Sequence, residues 1–137
     1  MTGTNQILGG GGFHHLAMKV KDFDRSVEFY TVVLGFKPTV SWGEGDKRAV
    51  MLDAGDGGCV ELFAGGPEGP RPDGVIMHMA LRTADVDAVT ERARVAGATV
   101  TVEPRDVDVD SKPAPMAIRL AFFKGPDGEI IELFHLK

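Results

Sequence analysis

The chain has 137 residues, 43% of them hydrophobic and 26% charged, with a net charge of −5. That is the length and composition of one globular domain with enough chain to bury a core. The acidic balance lacks the basic patch that phosphate neutralisation needs, which excludes a nucleic-acid surface. No apolar run approaches the 18 or so residues of a membrane span, so no membrane partner is expected. No secretory signal pattern opens the chain, and the single cysteine, Cys59, excludes an internal disulfide framework. Both observations fit a reducing, cytoplasmic setting. The unusual figure is 18 glycines, roughly twice the usual share of about 7%. It predicts many short elements joined by turns.

Residues 1–12, ending in four glycines, read as a flexible tail. Residues 15–20 have the spacing of a short strand. Asp22 or Asp24 can cap a helix, because an aspartate side chain accepts the free N–H groups of a first turn. Val27, Tyr30, Thr31 and Leu34 follow at helical spacing, and Gly35 stops the helix. Three short strands are expected at about 37–41, 47–53 and 58–64. Residues 65–74 (GGPEGPRPDG) form a Gly/Pro-rich linker. A second series then begins at His78. A helix carrying Val86, Val89, Ala93 and Ala96 ends at Gly97, and strands are expected at about 99–103, 117–123 and 130–136. Each half reads β-α-β-β-β, so the fold class is α+β with two paired βαβββ modules. Module one spans 13–64 and module two 75–137, within a single domain at 13–137.

The two halves repeat each other, and repetition decides the fold before any single element does. His15-Leu16-Ala17-Met18-Lys19, followed by Asp22, Phe23 and Asp24, matches His78-Met79-Ala80-Leu81-Arg82, followed by Asp85, Val86 and Asp87. The offset is 63 residues, from His15 to His78. The block 56–63 (DGGCVELF) matches 127–134 (DGEIIELF). The second half is therefore a few residues longer, and a loop at 103–116 is the place expected to hold them.

The repeat places one His and one Glu in each half: His15 with Glu61, and His78 with Glu132. Side chains on a strand alternate faces. If His15 faces inward, so do Ala17 and Lys19, while Leu16, Met18 and Val20 face the helices. Glu61 stands between Val60 and Leu62, and Glu132 between Ile131 and Leu133. A carboxylate amid apolar strand residues is costly unless it pairs or binds a metal. Any one of these histidines alone is more often structural, and each Glu alone can be explained by an ion pair to Lys19 or Arg82. Four such residues at repeat-equivalent positions favour a metal site. Two imidazoles and two carboxylates suit a divalent first-row ion such as Mn, Fe, Co, Ni or Zn.

The segment 15–36 (HLAMKVKDFDRSVEFYTVVLGF), together with V-E-L-F at 60–63, H-M-A-L at 78–81 and G-P-D-G-E-I-I-E-L at 125–133, resembles the vicinal oxygen chelate superfamily. That group contains glyoxalase I, epimerases, extradiol dioxygenases and the fosfomycin and bleomycin resistance proteins. The resemblance implies paired βαβββ modules whose mixed sheets curl around a metal site. It also implies a small-molecule substrate and a homodimer in which a site takes modules from two chains. Within the group, Glu61 at the second position gives His-Glu-His-Glu, the pattern of bacterial-type glyoxalase I. Extradiol dioxygenases use two His and one Glu, epimerases commonly carry Gln at the second position, and bleomycin-binding proteins lack the ligands. The implied activity is a metal-dependent lyase or isomerase, lactoylglutathione lyase or a relative. In it the ion stabilises a cis-enediolate, and Glu132, with Glu61 sharing the work, moves the proton. The alternatives are an Fe- or Mn-dependent extradiol-type dioxygenase using His15, His78 and Glu132, and a non-catalytic binding or resistance protein of the same fold.

Several positions bear on the substrate. Lys19 stands where glyoxalase I typically has Arg, and Gly65 where it typically has Asn. The acidic loop 103–116 fits poorly with an anionic thiol conjugate. Lys19 and Arg82 are candidate anion clamps by parity, while Arg48 and Arg119 read equally well as solvent-exposed charge. His14 and His135 have the wrong parity for the cavity and are expected on the surface. Cys59 shares the parity of Glu61 and reads as a small buried thiol. Phe63 and Phe134 are expected beside the metal. Trp42 reads equally as pocket wall or ordinary packing.

Overall fold

The computed structural model describes residues 5–7, 9, 12–69, 71, 74 and 76–137. Most of the expected tail, and Pro70, Pro72 and Asp73 of the expected linker, lie outside the described residues. The elements run β1 (His15–Lys19), α1 (Phe23–Glu28), β2 (Lys37–Trp42), β3 (Ala49–Asp53), β4 (Cys59–Phe63), β5 (Met79–Arg82), α2 (Val86–Val95), β6 (Thr99–Val109), β7 (Met116–Lys124) and β8 (Ile130–Leu136). They form two four-stranded mixed sheets, ordered β1-β4-β3-β2 and β5-β8-β7-β6. In each, the first strand pairs parallel with the last, and the remaining pairs are antiparallel. The α+β class and the paired βαβββ plan are as read from the sequence. The sheets stay separate and do not close on one another.

The repeat explains the local structure. Asp22 and Asp85 cap the two helices, accepting from the Arg25 and Ala88 backbone N–H groups. Gly35 and Gly97 follow the helical segments with φ of 76° and 94°, a region that favours glycine. The first helix departs from expectation by widening into a π-helical segment at Phe29–Val33. The extra residue in that turn lets Phe29 and Tyr30, neighbours in sequence, both point inward, at 8% and 0% exposure. Among the described residues no helix is long and apolar enough to cross a membrane.

One hydrophobic core lies between the helices and the sheets and crosses from module to module. Val20, Tyr30, Leu52 and Leu62 of the first module pack in the same cluster as Val86, Phe123, Ile131 and Leu133 of the second. Each large apolar side chain buried this way contributes about 1.5–3 kcal/mol. Polar groups seal one side of the junction. The Asp127 carboxylate, in the turn before β8, accepts from the Lys21 N–H at 3.0 Å, the Ser26 hydroxyl at 3.3 Å and the Arg71 guanidinium at 3.0 Å. Beside it the Tyr30 hydroxyl donates to Glu129 at 2.8 Å. Among the described residues the repeat-equivalent turn of module one does nothing similar: Asp56 is exposed and accepts only from the nearby Gly58 N–H.

The expected loop at 103–116 is corrected. β6 continues to Val109 and forms a hairpin with β7, leaving only 110–115 as the connection. The acidic residues disguised a period-2 strand. Asp106 pairs with Arg119, which also holds Asp87 on α2, so Asp106 lies on the helix side.

Candidate functional site

Each module brings its own His and Glu together. In module one His15 Nε2 lies 3.2 Å from Glu61 Oε2, and in module two His78 Nε2 lies 3.0 Å from Glu132 Oε2. The carboxylates are about one tenth exposed (9% and 11%), the imidazoles more than a third (38% and 37%). Each pair thus sets a dry acceptor behind an imidazole open to an incoming ligand. The alternative of ion pairs from Lys19 or Arg82 to these glutamates is not what the structure shows.

Strand register explains the positions. Ala17, Glu61, Met51 and Val40 form one row across the first sheet, and Ala80, Glu132, Phe122 and Val102 form the equivalent row across the second. The next row is Lys19, Phe63, Ala49 and Trp42 in the first sheet, and Arg82, Phe134, Leu120 and Arg105 in the second. Directly opposed residues share a face, so Phe63 and Phe134 flank the glutamates as expected. Trp42 is part of this wall, edge-on to Phe63 at 6.1 Å. The His78 ring stands edge-on to Phe122 at 5.4 Å, a packing partner that sequence parity did not single out.

The other sequence candidates divide. His14 is exposed, and its Nδ1 faces His15 Nδ1 at 2.9 Å, within hydrogen-bond distance. His135 is not a surface imidazole: it is half-buried, with Nδ1 3.0 Å from the Thr83 carbonyl. Cys59 is half-buried and in register with His15. Arg48 and Arg119 serve structure, Arg48 with Asp24 and Phe23, Arg119 with Asp87 and Asp106. These ion pairs hold the Asp87 and Asp106 carboxyls below the usual carboxylate range, chiefly through their hydrogen bonds to Arg119 and Lys137.

Sequence reasoning missed the cluster of Tyr30, Asp127 and Glu129. Burial pushes the Glu129 carboxyl up, against the lowering pull of the Tyr30 hydroxyl and backbone N–H groups, and pushes the Tyr30 phenol well above its usual range. The available signal was the repeat itself, in which Glu129 stands opposite Gly58.

The donor set fits a divalent first-row metal in halves. Each pair aims an imidazole nitrogen and a carboxylate oxygen at one another, both suited to such an ion. Among the described residues no three His, Cys, Asp or Glu side chains gather at one point. His15 and His78 both border a cleft of about 880 Å³ that runs between the modules, along with Phe36, Cys59, Arg82 and Leu133. Glu61 and Glu132 do not. A four-ligand shell therefore needs a first-module pair and a second-module pair brought face to face.

Residues 12–133 match the model of the Glyoxalase/Bleomycin resistance protein/Dioxygenase superfamily, and the chain belongs to that family. It is 30% identical to a probable lactoylglutathione lyase of Vibrio cholerae serotype O1, over 90% of this chain and 89% of that protein. It is 32% identical to a 2-epi-5-epi-valiolone epimerase of Actinomyces sp, over 99% of this chain and 85% of that one. Among solved structures it is similar to the trypanothione-dependent glyoxalase I of Leishmania major. The TM-score is 0.67 and the identity 28%, covering 91% of this chain and 86% of that chain.

Proposed function

We propose that the chain is a metal-dependent lyase or isomerase of glyoxalase I type, acting on a small α-hydroxycarbonyl or thiohemiacetal substrate. The observation that carries this reading is the pair of His–Glu couples, 3.2 and 3.0 Å, at equivalent positions of two repeated sheets. His15, Glu61, His78 and Glu132 are the residues that would hold the ion. When bound, it supplies Lewis-acid polarisation of neighbouring substrate oxygens. The chain supplies the rest. Glu132 lies behind His78 with Phe122 opposite it in register and Phe134 one row along on the same face, a dry setting in which a carboxylate takes up and returns a proton at adjacent carbons. Glu61 has the same relation to His15 and Phe63 and can share the transfer. The aromatic side chains exclude water from the proton path.

Because the described residues bring no four ligands together within one chain, the reading includes a homodimer in which module one of each copy faces module two of the other. Glu61, close against His15, counts against the two-His, one-Glu arrangement of a dioxygenase. The test is metal titration of the purified protein followed by hemithioacetal turnover. One ion per His-Glu-His-Glu set is expected, and Glu132→Gln should lower kcat by about 10²- to 10⁴-fold while the ion is still bound. A protein that binds no Ni, Co, Mn, Fe or Zn stoichiometrically refutes the reading.

A further inference from the structure

We propose that Arg105 is the residue that selects the substrate, by binding a carboxylate carried on the same molecule as the reacting carbons. This rests on the reading of the His–Glu face as the substrate face. By composition the stretch around Arg105 looked hostile to an anion, and strand geometry reverses that. Register shifts in β6 on either side of Val102, the second falling between Val102 and Arg105, change the alternation so that both residues face the side of Glu132. The acids around them go the other way. Glu103 is held by Arg94 of α2 at 2.6 Å, and Asp106 by Arg119 and Lys137 at 3.0 and 2.9 Å. Those two charges are thus paired on the helix side, and Arg105 is left on the substrate side as an exposed guanidinium with no hydrogen bond or ion pair among the described residues.

Its neighbours place an apolar floor beside it. Arg105 is in register with Leu120, Leu120 with Phe134, and Phe134 with Arg82. Ile118 and Leu120, 4% and 8% exposed, are buried outside the main core cluster and floor this face beside Arg105. Two arginines therefore bracket an apolar floor, about 14 Å apart at their Cα atoms by strand spacing, one row or about 7 Å along from Glu132. In module one the position equivalent to Arg105 is Trp42, so the repeat gives one wall an aromatic ring and the other a cation. A guanidinium on an apolar floor binds a carboxylate through paired N–H donors. The substrate class is an α-hydroxycarbonyl or thiol adduct whose carboxylate lies a short chain away from the carbons that exchange the proton.

The test titrates 3-(benzylsulfanyl)propanoate and its amide into the metal-loaded protein by calorimetry. Wild type should favour the carboxylate by about tenfold or more, the scale of one charge-assisted hydrogen-bonded pair. Arg105→Met should abolish that preference while leaving amide affinity unchanged, Arg105→Lys should keep part of it, and Arg25→Met, an exposed arginine on α1, should change nothing. Melting curves should be unaltered in all three. A preference that survives in Arg105→Met, a wild type without preference, or no binding of either probe at millimolar concentration overturns the proposal. Turnover of two hemithioacetals of methylglyoxal, one with 3-mercaptopropanoate bearing the carboxylate and one neutral with 2-mercaptoethanol, separates the two readings. Turnover without charge preference sinks the Arg105 subsite alone. Charge preference lost in Arg105→Met, without any turnover, keeps the subsite and sinks the lyase.

Discussion

Asp56 and Asp127 occupy the same place in the sequence repeat, so a purely sequence-based argument assigns them equal weight. The structure makes them unequal. Asp127→Ala removes three acceptor contacts at the module junction, to the Lys21 N–H, the Ser26 hydroxyl and Arg71. At about 1 kcal/mol net for each, the loss is about 3 kcal/mol. For a chain of this size that corresponds to a fall in melting temperature of about 9 °C. Asp56→Ala removes one local bond, to the Gly58 N–H, at an exposed turn, and should cost about 0.5 kcal/mol or less. Asp127→Asn keeps the shape but loses the charge opposite Arg71 and should fall between them. The assay is urea unfolding followed by circular dichroism at one fixed protein concentration, since assembly would shift apparent stability. Equal losses at the two positions, or an Asp127→Ala loss below about 1 kcal/mol, would refute the account of the junction.

Three further outcomes follow from the geometry. His15→Ala and His78→Ala chains, each inactive alone, should regain activity when unfolded and refolded as a mixture, because a heterodimer with shared sites keeps one site with all four ligands; activity that stays absent places the site within single chains. Glu129 is raised by burial, so the folded state holds its proton longer than the unfolded state does. Its stabilising contribution is full below the ordinary glutamate range of about 4.3 and is lost as pH rises through the folded value, so between pH 4 and 7 Glu129→Gln should flatten the fall of stability with pH, whatever it does to the overall level. Gly125→Ala would drive a Cβ into the Glu129 side chain and should cost about 1–3 kcal/mol by denaturant titration, with metal binding by the His–Glu pairs retained.

Much of this molecule could be read from its repeat. Two histidines and two glutamates at matched positions, apolar residues on either side of each glutamate, and paired aspartate caps and glycine stops gave the β-α-β-β-β plan and the strand faces; that each His stands against the Glu of its own half came only from the structure. Period-2 reading failed at β6, where alternating aspartates imitate a loop and the register shifts hide which face Arg105 takes. At His135 the parity was right but the surface position was not, because its neighbour, the Thr83 carbonyl, comes from a distant part of the chain. The junction was invisible for a related reason. A repeat describes each half by itself, whereas the bonds from Asp127 and Glu129 run between halves and depend on differences such as Glu129 against Gly58 and Tyr30 against Ala93.

Those differences matter beyond stability. The halves agree where ligands are needed and disagree where they dock, so exchanging one module for a second copy of the other would not be neutral. A chain built from two first modules would keep both His–Glu couples but present Gly58 and Asp56 where Glu129 and Asp127 now join the halves. A chain built from two second modules would set Ala93 and Val89 against those acids, leaving buried carboxylates without the Tyr30 and Ser26 hydroxyls. Each half is thus the other's required counterpart, and the two modules, alike in their ligands, are not interchangeable at the seam where they dock.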